Sequence, residues 1–316
     1  MAADQSTPPR TDSASLQSVP SLSPRHAGLI DEYLAIEAED VRRAGALGFM
    51  ARTLAQATLP HTDPKLPPGT LYSRETGRFT LSIAPTSRRY GIPFGTIPRV
   101  TLAWICTEAV RTQSPVLSLG RSQSEFLHKL NLNSNGRDIA RMREQCMRLF
   151  RAVVSIEYDD GAVESSKRLL ISKSDFVLWH EQPEMLSLWA SELQLSDEFY
   201  SEATRFPVPI DLRVFHALSK SPLAMDIYTW LTYRMFVLSK ASRKETRIPW
   251  VALKPQLGSN YADSEQGLRD FKKAFRLRLK EVLLFYPQAT KHIEIQADHL
   301  RLTPAPLHIA QQARLF

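Results

Sequence analysis

Nine cations in two short stretches carry the chemistry that this sequence offers. Between Gly267 and Pro287, Arg269, Lys272, Lys273, Arg276 and Lys280 lie beside a stripe of Leu268, Phe271, Phe275, Leu279 and Val282. At about 100° per residue, a helix gathers the apolar set into one arc and the cations into the adjoining arc. Between Arg137 and Val153, the residues Ile139, Met142, Cys146, Leu149, Phe150 and Val153 fall on one side of a helix. Arg137, Arg141, Arg148 and Arg151 fall on the other. A row of guanidinium and ammonium groups does one kind of chemistry well, which is to bind anions. The planar fork of arginine can pair guanine O6 and N7 together, whereas lysine meets phosphate as a point charge. Solvated helix faces usually mix signs to gain i,i+4 pairs. Here only Asp270 and Glu281 lie within the first stretch to offset its cations, so a polyanion is the expected partner.

The charge of the whole chain is distributed the same way. The 316 residues carry a net +7. Residues 86–152 hold 11 Lys/Arg against 4 Asp/Glu, and residues 207–316 hold 17 against 9, whereas 153–206 hold 4 against 11. Two separate basic blocks match the footprint of a nucleic-acid binder better than a uniformly basic surface does.

Catalytic patterns are missing. No G-x-x-x-x-G-K-[ST], G-x-G-x-x-G, H-E-x-x-H or His-x-His occurs. His180, Glu181 and Glu184 stand close in sequence, but Pro183 breaks any regular helical ligand face. Asp159 and Asp160 precede Gly161 and read as turn residues. Cys106 and Cys146 sit within helical apolar patterns and read as small core residues. The expectation is no catalytic residue, no metal and no cofactor. No apolar run has the length of a membrane span, and the N-terminus lacks a basic-then-apolar signal pattern. A cytoplasmic protein without a membrane partner is expected.

The elements that must position the cations are legible from periodicity. Residues 1–28 are rich in Ser, Pro and Thr and are expected to form a disordered tail. Residues 29–85 read as an N-terminal helical and extended region. Residues 86–206 and 207–316 then each give helix, short strand, helix, helix and hairpin. The expected fold class is α+β: tandem winged-helix domains with an N-terminal helical extension and a disordered N-terminal tail. In this arrangement the third helix of each unit enters a major groove about 12 Å wide while the second crosses the backbone. The hairpins serve as wings. Two units on one chain predict contacts in successive major grooves, about 10.5 base pairs apart.

The stretch "YGIPFGTIPR", Tyr90 to Arg99, followed by an apolar helix through Thr107, Glu108 and Ala109, resembles the plasmid-encoded RepA-type replication initiators. "GFMARTLAQATLPH", "SEFLHKLNL", "SPLAMDIYTWLTYRM", "TRIPWVALKPQLG" and "LRDFKKAF" extend the likeness over about residues 45–305. The resemblance implies a protein that binds repeated plasmid-origin sequences in double-stranded DNA and helps open the duplex. Host replication proteins, such as the helicase and initiator, then take over. It implies tandem winged helices and, for many members, repression of their own promoter in a different oligomeric state. A homodimer is among the states left open. A winged-helix transcriptional repressor without origin activity is the alternative. The resemblance supplies no map of base contacts; the nine cations are named from helical geometry.

Overall fold

The computed structural model describes residues 45–56, 58–76, 79–159, 164–173, 191–241, 244–258 and 260–309, together with Arg25 and Leu29. The tail at 1–28 apart from Arg25, residues 30–44 of the N-terminal region, the Asp160 turn, and His180, Glu181 and Glu184 lie outside the described residues.

The fold mixes helices with small antiparallel sheets. It begins with β1 (Leu47–Ala51), α1 (Arg52–Gln56) and the hairpin β2 (Tyr72–Thr76) and β3 (Phe79–Pro85). Next come α2 (Thr96–Thr112), β4 (Val116–Gly120), α3 (Gln123–Lys129), α4 (Gly136–Phe150), β5 (Ala152–Asp159) and β6 (Glu164–Leu170). β7 (Ser191–Gln194), α5 (Asp197–Arg205), β8 (Pro207–Asp211) and α6 (Leu212–Ala217) connect to the second series. That series is α7 (Pro222–Lys240), β9 (Thr246–Pro249), α8 (Trp250–Leu257), α9 (Glu265–Phe285), β10 (Ile293–Ile295) and β11 (His299–Leu302).

The order helix, strand, helix, helix, hairpin therefore occurs twice, but the strands pair differently in the two series. In the second, β9 joins the hairpin in the order β10-β11-β9. In the first, β4 pairs with β7, and the hairpin lies in a sheet of order β2-β3-β5-β6. Leu81 opposes Ile156 and Ile83 opposes Val154 across β3 and β5. β1 pairs with β8, so residues before 86 hydrogen-bond to strands in both later segments. Alternation along a strand fixes which face is buried, not which strand lies alongside, so these pairings could not be read from sequence. Cys106 and Cys146 are buried free thiols, and burial raises both to about 12.

One polar contact lies deep between α2 and α7. Arg99 donates from Nε to Asp226 Oδ1 and from Nη2 to Asp226 Oδ2, both at 2.7 Å. Its remaining donors reach the carbonyls of Leu59, Pro60 and Gly95. His61 Nε2 lies 2.9 Å from Asp226 Oδ2. Burial alone would raise the Asp226 carboxyl, but Arg99 and His61 outweigh it and bring it down to about 2. Burial lowers His61 more than its bond to Asp226 raises it.

Burial likewise lowers His216 and His308 below the ordinary 6.5. A group whose folded value is depressed favours folding above its unfolded value and loses that contribution as pH falls through the folded one. The thermal midpoint is therefore expected to fall as pH drops from 7.5 to 5.5, before carboxylates titrate. A scanning-calorimetry series with an unchanged or rising midpoint over that range would contradict it.

Candidate nucleic-acid interface

α9 is built to hold one face outward. Its first turn is capped by Ser264, whose hydroxyl accepts the Gly267 N–H at 3.1 Å. A Cβ at position 267 would lie 2.0 Å from the Ala262 carbonyl oxygen. Only glycine lets the chain turn this tightly from α8 into α9. Phe271, Phe275, Leu279 and Val282 are buried. Phe275 meets Trp250 at 5.4 Å and Trp230 at 6.4 Å, both edge-on. Such pairs each add about 0.5–1.5 kcal/mol beyond their burial. This aromatic cluster fixes the rotation of α9 against α7 and α8.

With that rotation, Arg269, Lys273, Arg276 and Lys280 are all exposed. Their spacing of four, three and four places them in one row on the outer face. Arg269 bonds Gln266 and lies 3.6 Å from Glu265 at the start of the row. Glu281, which the sequence offers as a neutraliser, is fully buried on the inner side and pairs with Arg278 and Arg25. Lys272 also leaves the row. It is half-buried, donates to the Ala297 carbonyl at 2.8 Å and lies over the Trp250 ring. It tethers the turn of the β10–β11 hairpin to α9. The exposed part of that hairpin carries Glu294 and Asp298, and Arg301 is bound by Glu245 and Glu294.

α4 departs further from its predicted arrangement. Asn135 caps it by accepting the Asp138 N–H at 3.0 Å. Arg137 and Arg141 are exposed, and Arg141 lies 3.5 Å from Asp138. Arg148 does not share their surface. Its side chain is only 17% exposed, bonded to Glu144 at 2.8 Å and to the Ile92 carbonyl at 3.2 Å. Its guanidinium covers the Phe94 ring. Arg151 is half-buried over Tyr90, which Arg89 also covers. The loop at 90–95 lies along the C-terminal half of α4, where the Phe94 N–H donates to buried Gln145. Helical periodicity identifies a face but not what covers it. Arg88 and Arg89, which the spacing did not single out, are exposed at that end.

This geometry gives a place to Tyr90, Ile92, Phe94, Gly95 and Arg99 of the "YGIPFGTIPR" stretch. Tyr90, Ile92 and Phe94 hold α4 through Arg151, Arg148 and Gln145. Gly95 takes φ +81 and donates to the Pro60 carbonyl as α2 begins. Arg99 supplies the buried contact to α7. A family model described as plasmid-encoded RepA protein matches residues 92–251. The chain belongs to this family. The span matched to the RepA family runs from the loop against α4 to the start of α8; α9 and its cations follow it. No curated protein matches the chain. Among solved structures, the chain is similar to a crystal structure of selenomethionine derivatives of domains 2 and 3 of RctB. The TM-score is 0.45 and the identity 12%, covering 82% of this chain and 98% of that one. A second crystal structure of RctB domains 2–3 gives a TM-score of 0.44 at 14% identity, covering 80% and 96%.

The described residues contain no group of three or more His, Cys, Asp or Glu arranged to hold a metal. None of their helices is long and apolar enough to cross a membrane. Arg148→Ala is expected to act on the fold and not on an anion. It should cost about 1 kcal/mol of stability while the salt dependence of DNA binding stays as in the wild type. Arg141→Ala should do the reverse. Urea titrations and binding isotherms at several salt concentrations separate the two outcomes.

Proposed function

We propose that this protein is a plasmid replication initiator without catalysis of its own. It binds double-stranded origin DNA through two winged-helix units and brings host replication proteins to the opened duplex. The observation that carries the reading is the row Arg269, Lys273, Arg276 and Lys280 on the outer face of α9. Membership of the RepA family and the twice-repeated element order support it. In the second unit the strand order β10-β11-β9, with β9 leading into α8, supports the winged-helix reading. There α9 enters the major groove, with arginine able to read guanine and lysine meeting phosphate. In the first unit Arg137 and Arg141, at the exposed start of α4, take the equivalent position.

A plasmid carrying only this gene and its flanking repeats tests the assignment. Replication in a suitable host is the expected result. DNA binding without replication would favour a transcriptional repressor instead. Incubation of the protein with supercoiled DNA, Mg²⁺ and nucleotides is expected to leave both substrates unchanged. Nicked circles or hydrolysed nucleotide would contradict the absence of catalysis.

A further inference from the structure

Away from α4 and α9, the C-terminal half of α7 and the β1–β8 ribbon enclose a groove of about 560 Å³. That lies within the range of ligand clefts, about 300–1,000 Å³. Tyr233, Phe236 and Val237 line one side at helical spacing, and Phe206 lines the other. The Arg52 guanidinium lies 4.6 Å over the Phe206 ring, yet Phe206 stays 56% exposed and Val237 37% exposed, so large apolar surface reaches solvent here. Contiguous exposed apolar surface with a polar rim is a mark of an interaction site.

The rim is of one sign. Arg52, Arg205 and Lys240 border the groove, and among the described residues no carboxylate side chain lines it. α5 and α7 end nearby, and their C-terminal dipoles each offset about half a charge. Three cations still leave the rim positive. The cations surround an apolar floor and do not run in a row, so a phosphate backbone laid across them would leave Phe236 and Val237 facing charge. An acidic polypeptide with apolar anchors satisfies both the floor and the rim.

The occupant is not an added strand. The Phe49 N–H points away from β8 to Thr107 Oγ1, at 2.9 Å. Phe49 opposes Pro209, so positions 207, 209 and 211 of β8 face outward. Pro207 and Pro209 have no N–H, and that of Asp211 is bonded to the Tyr228 hydroxyl. The outer edge of β8 thus offers no donor to a partner strand. Tyr233 to Lys240 spans two turns of α7, about 10 Å at 1.5 Å per residue. We propose that this groove docks two to three turns of an acidic amphipathic helix of a partner protein, with apolar anchors on the floor and carboxylates on Arg52, Arg205 and Lys240.

Fluorescence anisotropy with the full chain tests this. The probe is a labelled helix-forming peptide with apolar residues at i, i+3, i+4 and i+7 flanked by glutamates. Its control is the same peptide with lysines in place of the glutamates. The acidic peptide should bind and the basic one should not. The double variant Arg205→Glu/Lys240→Glu, at exposed positions, should weaken binding by roughly tenfold or more and leave DNA affinity unchanged. Val237→Asp should weaken it independently. Equal binding of both peptides, or full binding by the double variant, overturns the proposal. Lost DNA affinity in the double variant would make nucleic acid the occupant. Peptide binding that appears only after removal of residues 310–316 would make this chain's own end the occupant. A dimer in sedimentation that Val237→Asp dissolves would make it a second copy. Each of these three also overturns the proposal.

Discussion

Replacing Arg269, Lys273, Arg276 and Lys280 together by alanine is expected to remove specific DNA binding while the protein stays folded. The four side chains are exposed on one face of α9. Exposed substitutions of this kind usually change stability by less than about 0.5 kcal/mol each. For binding, each lost phosphate contact reduces the salt slope by about 0.9, so four remove about 3–4 units. An arginine that reads a base is worth about 1–3 kcal/mol. The joint loss is then about a thousandfold or more in affinity. Among the single variants, Arg276→Ala at the middle of the row should cost most and relax specificity at one position. Lys272→Ala should behave differently. Sequence alone places Lys272 with the phosphate contacts, with a salt slope lower by about one on its removal. Its bond to the Ala297 carbonyl instead predicts a looser hairpin with nearly unchanged slope. Binding isotherms between 50 and 200 mM salt, beside thermal melts, distinguish these effects; a quadruple variant that binds like the wild type contradicts the role given to α9.

The second large effect is on stability and falls at Arg99 and Asp226. Removing one partner of a buried ion pair costs about 3–5 kcal/mol, because the other charge stays buried without compensation. Arg99→Ala also strips donors from three carbonyl groups, those of Leu59, Pro60 and Gly95. The cost is a large share of the roughly 5–15 kcal/mol that holds a typical domain folded. Arg99→Met combined with Asp226→Leu is expected to recover part of the loss, since no lone charge remains. Urea unfolding of the two single variants and the double variant measures this. Single variants within about 1 kcal/mol of the wild type would contradict a structural role for the pair. Because Arg99 starts α2 and Asp226 lies in α7, the pair also ties the helices on which α4 and α9 are packed.

The sequence showed most clearly what is local. The stripe of Phe271, Phe275, Leu279 and Val282 sets the inner face of α9, and four of the five cations assigned to that helix stand outside it as helical spacing predicts. Ser122 caps α3, its hydroxyl accepting the Glu125 N–H at 3.1 Å. What required the chain to fold back on itself was hidden. Arg99 and Asp226 lie 127 residues apart. Arg148 and Arg151 share a helical face with Arg137 and Arg141, but the Tyr90–Phe94 loop covers only their end of it. The aromatic residues in that loop were a signal of burial, and nothing in the spacing says against which helix. Strand partners were equally hidden, because β4 and β9 follow equivalent helices yet one joins β7 and the other β11.

Hydroxyl-radical footprinting on the DNA flanking this gene is the most direct test of two helices reading one duplex. The expected pattern is two protected blocks on one face, about 10.5 base pairs apart. Alanines at Arg137 and Arg141 should erase one block, and alanines at Arg269, Lys273, Arg276 and Lys280 the other. A single block, or two blocks that survive in both variants, would contradict the account.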